Sequence, residues 1–250
     1  MIIGNASHLN HFLFFGSEYQ TKCRHRPTMS KYVAAAYFDL DGTLLDASSE
    51  KTLTAELAKK RPWRIPFGVI MWSLGSIGNL LRGRSIYDAT RNRGHFSLSS
   101  WETLESISQN ITKSKLLYKV SDEAKQCLEW HRTQGHRLIL VTATIGPMAD
   151  AIGKELGMDK IYACGPENRT GILSGSERGW LVPRRKGKVP VVLNDAEING
   201  HDLSKCYGYG NTMADSWFMG ITGNPVAINP ERKLRKHSIK HGWEIRYWKI

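Results

Sequence analysis

Acidic residues are the scarce class: 23 Asp and Glu stand against 35 Lys and Arg in 250 residues, a formal net charge of +12. A surplus of that size draws anions such as phosphorylated substrates, anionic lipid or nucleic acid, and says nothing about the fold. Nucleic acid is excluded as the main partner, because the chain has no arginine-rich run interleaved with aromatics, no zinc-finger spacing and no RNA-binding signature. Cysteine is sparse too. Cys23, Cys127, Cys164 and Cys206 form no CxxC pair, which argues against a disulfide framework or a zinc site and makes a reducing cytoplasm the simplest setting. A membrane-spanning run of ~20 apolar residues is missing as well. The uncharged stretch from Ile65 to Leu81 is shorter and broken by Pro66, Gly68, Gly75 and Gly78. Met1 to Ser30 lacks the basic start of a signal peptide and shows no helical or strand period, so residues 1–30 are expected to form a loosely ordered extension.

What the chain does have is a globular composition, 41% hydrophobic and 23% charged, at a length that suits one catalytic domain with a smaller insertion. From His136 onward, strands and helices alternate: HRLILVTAT, then IGPMADAIGKELGM, then KIYAC, with CYGYGNTMAD and NPVAINP later repeating the theme. This predicts a Rossmann-like α/β fold, a parallel sheet flanked by helices with its site at the carboxyl ends of the strands. NRTGILSG, with Gly171 and Gly175 around a short apolar run, predicts a hairpin-like excursion. Between the first strand and His136 the pattern is helical. Ser48 or Ser49, Ser99 or Ser100, and Ser121 are candidate N-caps, and Gly135 is a stop. Residues 48–111 are therefore expected to be a helical insertion into a core of 31–47 and 112–250. Within the insertion, the uncharged stretch between Arg64 and Arg82 is expected to be a buried or pocket-lining helix. Its basic flanks, with Trp63 and Trp72, leave contact with an anionic membrane surface as the second reading.

The chemistry concentrates where apolar strands end. VAAAYF runs into Asp39, Leu40, Asp41, Gly42 and Thr43, so two carboxyls, or one carboxyl and the Asp41 carbonyl, form an oxygen-rich corner suited to a divalent cation such as Mg2+. LILV runs into Thr142, Ala143 and Thr144, where a hydroxyl and following amides suit phosphoryl oxygens. Lys188 follows Gly187 in a basic run in which Lys186 is its rival, while Arg184 and Arg185 are candidates for a substrate phosphate. YGYG runs into Asn211, with Asp215 four residues later.

FDLDGTLLD resembles the first motif of the haloacid dehalogenase superfamily. The resemblance extends over about Lys31 to Trp248 and is similar to the phosphoserine phosphatase-like branch, whose chains end in a strand, Asn and Pro, a basic helix, Gly and Trp, as NPVAINPERKLRKHSIKHGWEI does. What it implies is a Mg2+-dependent phosphatase with an inserted helical cap. Asp39 would be the nucleophile that forms an aspartyl-phosphate, and Asp41 the general acid and then base. Thr142, Ala143 and Lys188 would grip the phosphoryl oxygens; Asp39, the Asp41 carbonyl and Asn211 or Asp215 would hold the metal. Asn211 stands where an acidic ligand is common, although the branch also uses Asn there. Asp41 favours phosphatase or mutase over the family's ATPase pumps, which carry Thr. The implied substrate is a small phosphoserine-like monoester. A lipid phosphatase resembling phosphatidylglycerophosphatase is the alternative, acting from the cytoplasm at the inner membrane surface, and a non-catalytic phosphate-binding protein is a third.

Overall fold

The computed structural model describes residues 33–83, 93–166, 170–173 and 179–249. The extension expected over residues 1–30, with Cys23, lies outside them, as does part of the span expected to form the cap. Of the excursion expected at NRTGILSG, only residues 170–173 are described; there Ile172 bridges antiparallel to Ser100.

Six parallel strands form the sheet: β1 (Ala35–Phe38), β2 (Arg137–Ile145), β3 (Lys160–Cys164), β4 (Tyr207–Gly210), β5 (Asn224–Ile228) and β6 (Glu244–Arg246), in the order β3-β2-β1-β4-β5-β6. The chain builds outward from β1 on one side, then returns to its other edge with β4. The strand order therefore reverses beside β1, where an open α/β sheet leaves a crevice at its carboxyl end.

β1 is buried throughout, and its alternation feeds two cores. Ala36 and Phe38 face one layer with Leu138, Leu140 and Tyr209; Ala35 and Tyr37 face the other with Ile139, Val141 and Phe218. The first layer is covered by α1 (Ser49–Lys60), α3 (Trp101–Ile111), α4 (Asp122–Thr133) and α5 (Gly146–Glu155), the second by α6 (Lys188–Asn199), α7 (Ser216–Met219) and α8 (Arg232–His241). Helices α1, α2 (Arg64–Leu81) and α3 lie between β1 and β2 in the chain.

Local signals account for most helix ends. Ser100 caps α3 by accepting from the Thr103 amide, and Ser121 caps α4 by accepting from the Ala124 amide. Ser48 occupies the N-cap of α1 without a side-chain capping bond. The amide of Ser49 is instead taken by the Asp41 carboxylate, so this helix terminus serves the site. The expectation of a buried helix after Arg64 needs correction. Residues Ile65, Gly68, Val69 and Trp72 of α2 do line a pocket, but Ile70, Leu74, Ile77, Leu80 and Leu81 are exposed. Among the described residues, no helix is long and apolar enough to cross a membrane.

Candidate active site

Asp39 follows the last residue of β1, tied to the sheet by its amide, which donates to the Tyr209 carbonyl at 3.0 Å. The chain then turns through Gly42 at φ +80°, a left-handed conformation that a side chain resists. A Cβ at Gly42 would also overlap the Asn211 amide. The turn thus brings the β1 loop and the β4 loop together, and Thr43 Oγ1 donates to Asn211 Oδ1 at 3.4 Å.

Lys188 sits at the start of α6, behind a tight 3-10 turn (Arg185–Gly187). Its Nζ donates to Asp39 Oδ1 at 2.5 Å and to Asp215 Oδ1 at 2.7 Å, all three side chains being buried. Asp215 Oδ2 accepts from the Thr212 amide at 3.1 Å and its hydroxyl at 2.7 Å. Both Asp215 oxygens are therefore engaged in orienting neighbours. Gly210 leaves room for this, since a Cβ there would overlap the Asp215 side chain. Lys186, the rival in the sequence, lies elsewhere, its Nζ 4.4 Å from the centre of the Trp217 ring.

Asp41 is held from the other side. Its Oδ1 accepts from the Ser49 amide at 3.1 Å and its Oδ2 from Thr144 Oγ1 at 3.4 Å, while Ser49 Oγ and Thr144 Oγ1 are 3.2 Å apart. Thr142 Oγ1 accepts from the Thr144 amide at 3.1 Å, which shapes the irregular end of β2, where its register with β3 shifts between Val141 and Ile145.

The electrostatics follow from burial and neighbours. Burial pushes the Asp39 carboxyl up, to about 7, with Lys188 pulling it back and Asp215 and Asp41 adding to the rise. Burial works against the Lys188 charge, but the Asp215 and Asp39 carboxylates outweigh it and raise its pKa. Burial also raises Asp41, against the hydrogen bonds from Ser49 and Thr144.

Asp39, Asp41, Thr142, Ala143, Lys188, Asn211 and Asp215, named from the sequence, all line one open pocket of about 760 Å³. Arg184 and Arg185 line it as well. Sequence reasoning missed Glu50, Lys51, Arg93 and His95 on its wall. Arg93 is buried and pairs with both Glu50 oxygens, at 3.1 and 2.8 Å. It donates further to the Ala143 carbonyl at 2.6 Å and to Cys164 Sγ at 2.7 Å, tying α1 to the ends of β2 and β3. The one available signal was Glu50 in the first turn of a helix that begins soon after β1.

A buried lysine is shared by the carboxylate that follows β1 and the one at the N-cap of α7, with a third carboxyl beside them at the crevice of an open α/β sheet. The chain belongs to the haloacid dehalogenase-like hydrolases, whose family model covers residues 36–219. It is 28% identical over 222 residues to phosphoserine phosphatase SerB1 of Mycobacterium tuberculosis, covering 87% of this chain and 71% of that one. It is 27% identical over 217 residues to an inhibition of morphological differentiation protein of Streptomyces azureus, covering 84% and 77% of the two chains. Its fold is shared with a Bordetella pertussis protein of unknown function, with a TM-score of 0.71, 24% identity and coverage of 86% and 98%. A phosphoserine phosphatase solved as a phospho-aspartyl intermediate analogue shares it too, at a TM-score of 0.57, 16% identity and coverage of 86% and 92%.

Proposed function

We propose that this hydrolase is a phosphatase that cleaves phosphomonoesters through an aspartyl-phosphate on Asp39. The observation that carries the reading is the buried Asp39, Lys188 and Asp215 cluster, 2.5 and 2.7 Å across its two bonds, beside an Asp41 restrained by Ser49 and Thr144. Asp39 attacks phosphorus; Asp41, whose raised pKa suits it to carry a proton, gives that proton to the leaving alcohol and then takes one from water. Lys188 keeps charge against the phosphoryl oxygens, and Thr142 with the Ala143 and Thr144 segment faces the remaining ones.

The donor set fits Mg2+. It consists of hard oxygens: the Asp39 carboxylate, the Asp41 carbonyl and the Asn211 amide oxygen, which accepts a long hydrogen bond from Thr43 Oγ1 at 3.4 Å. Asp215, engaged at both oxygens by Lys188 and Thr212, acts chiefly by fixing the lysine. When bound, the cation neutralises charge between nucleophile and phosphate.

A small phosphoserine-like monoester is the preferred substrate, since Glu50 and Lys51 place opposite charges on the pocket wall, as an amino acid ester requires. The name of the mycobacterial relative agrees with this. A second reading, a phosphorylated lipid, is favoured by an adjoining pocket of about 270 Å³ lined by Leu57, Ile65, Val69 and Trp72. The testing experiment is phosphate release with Mg2+ from soluble and lipid phosphomonoesters, comparing the parent with Asp39→Asn. Turnover by the parent that vanishes in the variant is expected, and the better substrate decides between the readings. A parent that binds Mg2+ and phosphate yet turns over nothing would make the chain a phosphate-binding protein.

A further inference from the structure

Helix α2 carries an apolar stripe that is left exposed among the described residues. Ile70, Leu74, Ile77 and Leu81 recur at spacings of four, three and four residues, so they share one face, and they are 57%, 59%, 53% and 83% exposed. Trp63, one heptad before Ile70, is exposed beside the start of the helix. A surface helix ordinarily turns charged residues to water on such a face. Here no charged residue occurs from Ile65 to Leu81. The contacts that anchor the helix lie on its other side: Gly68 packs so closely on His95 that a Cβ would come within 3.0 Å of the His95 backbone. Arg64 donates to Ser97, Leu98 and Ser99.

The charge around the stripe has one sign. Lys59, Lys60 and Arg61 precede the helix and Arg82 follows it, all exposed, and the sequence has no acidic residue between Glu56 and Asp88. Glu56 itself is engaged by Lys115 at 2.7 Å. We infer that α2 and its basic flanks form a docking surface for an anionic lipid bilayer. The apolar stripe and Trp63 enter the boundary between headgroups and acyl chains, and the flanking cations meet the anionic headgroups. A second copy of the chain fits less well. Pairing two α2 helices would bring like charges together with no acidic residue in the segment to answer them.

Docking would also orient the enzyme. Ile65 lines both the catalytic pocket and the adjoining apolar pocket, and Val69 and Trp72 continue the apolar wall along α2. The mouth of the site therefore lies alongside the docking helix. The inference goes beyond the identity of the phosphomonoester, and its readout is independent of turnover.

The test is co-sedimentation of the full chain with vesicles of phosphatidylcholine mixed with phosphatidylglycerol, and with vesicles of phosphatidylcholine alone. The parent is expected in the pellet with the anionic vesicles and in the supernatant with the neutral ones, released as salt is raised. Ile70→Glu with Leu74→Glu, two residues outside the catalytic pocket, is expected to lower the bound fraction by at least ~10-fold while hydrolysis of a soluble phosphomonoester is unchanged. Lys60→Glu with Arg61→Glu is expected to lower it by ~10-fold or more through charge alone, which keeps the test valid if the first variant folds poorly. Ile239→Glu, on α8, is the control for an exposed apolar side chain elsewhere and is expected to bind as the parent does. A parent that stays in the supernatant would overturn the inference. So would α2 variants that pellet like the parent, or a lipid-free dimer dissociated by the Ile70→Glu, Leu74→Glu change, which would give the stripe to a second copy.

Discussion

Lys188 is held by two carboxylates at once, and its burial means that neither bond is diluted by water. Removing the cation would leave Asp39 and Asp215 facing each other in a site that already raises the Asp39 carboxyl. Breaking a buried pair on one side costs about 3–5 kcal/mol, because the remaining charge loses its compensation. Lys188→Met is therefore expected to lose stability of that order and to lower kcat by about 10²- to 10³-fold, as loss of one electrostatic stabiliser does. Lys186 is the natural control. Its ammonium lies over the Trp217 ring at 4.4 Å, a contact worth about 0.5–1 kcal/mol at an exposed site. Lys186→Met should thus keep kcat within about twofold of the parent. Urea midpoints and initial rates on the same preparations check both. Equal losses in the two variants would remove Lys188 from the site. The sequence alone left the two lysines as rivals, because both lie in one basic run. Only the turn at Arg185–Gly187 and the start of α6 decide which of them points at Asp39.

At the scale of elements, helix ends separate structural from functional serines. Ser100 accepts from the Thr103 amide and stabilises α3, whereas Ser48 makes no such bond at α1. Ser100→Ala should cost ~1 kcal/mol, and Ser48→Ala only a small fraction of that, read as shifts in denaturant midpoint. A large cost at Ser48 would mean that α1 depends on a cap the geometry does not show. The strands β1 to β5 were legible because each is a short apolar run ended by Asp, Thr, Gly or Asn, and Ser121 and Gly135 marked the limits of α4. Helix α6 was not legible as a helix: KVPVV reads as an apolar strand-like run, and Pro190 is tolerated only because it lies in the helix's first turn. The three residues of β6 are too few to show a period and form only because β5 offers them an edge. Helix α2 was misjudged for a different reason. Absence of charge is the usual mark of burial, and nothing within Ile65 to Leu81 says that the face carrying Ile70 and Leu74 meets no protein.

Across the whole molecule, Asp39, Thr142, Ala143 and Asn211 sit at or near strand ends next to the point where the sheet order reverses, so topology gathers them in one pocket, and the starts of α6 and α7 add Lys188 and Asp215. Glu50 and Arg93 escaped because their pairing depends on α1 meeting the segment just before the 3-10 turn at Gly94–Phe96, 43 positions further along the chain. The layer that α1 shares with α4 holds another feature that no motif marks. His131 is fully buried; its Nε2 is 2.9 Å from Tyr209 Oη and its Nδ1 2.8 Å from His136 Nδ1. Burial pushes its pKa down to about 3, with His136 and Arg246 adding to the drop, and burial lowers His136 as well. In the unfolded chain a histidine titrates near its ordinary value of about 6.5, so between that pH and about 3 the unfolded state binds the proton that the native state refuses. The stability that His131 contributes is then present above pH 6.5 and lost as pH falls, at up to about 1.4 kcal/mol per unit. Urea midpoints measured from pH 7.5 down to 4.5 should drop more steeply for the parent than for His131→Gln, which cannot titrate. Comparing the two cancels the carboxylates that titrate at the active site in both proteins. Parallel curves would mean that His131 takes up its proton in the native state and that Tyr209 and His136 accommodate it.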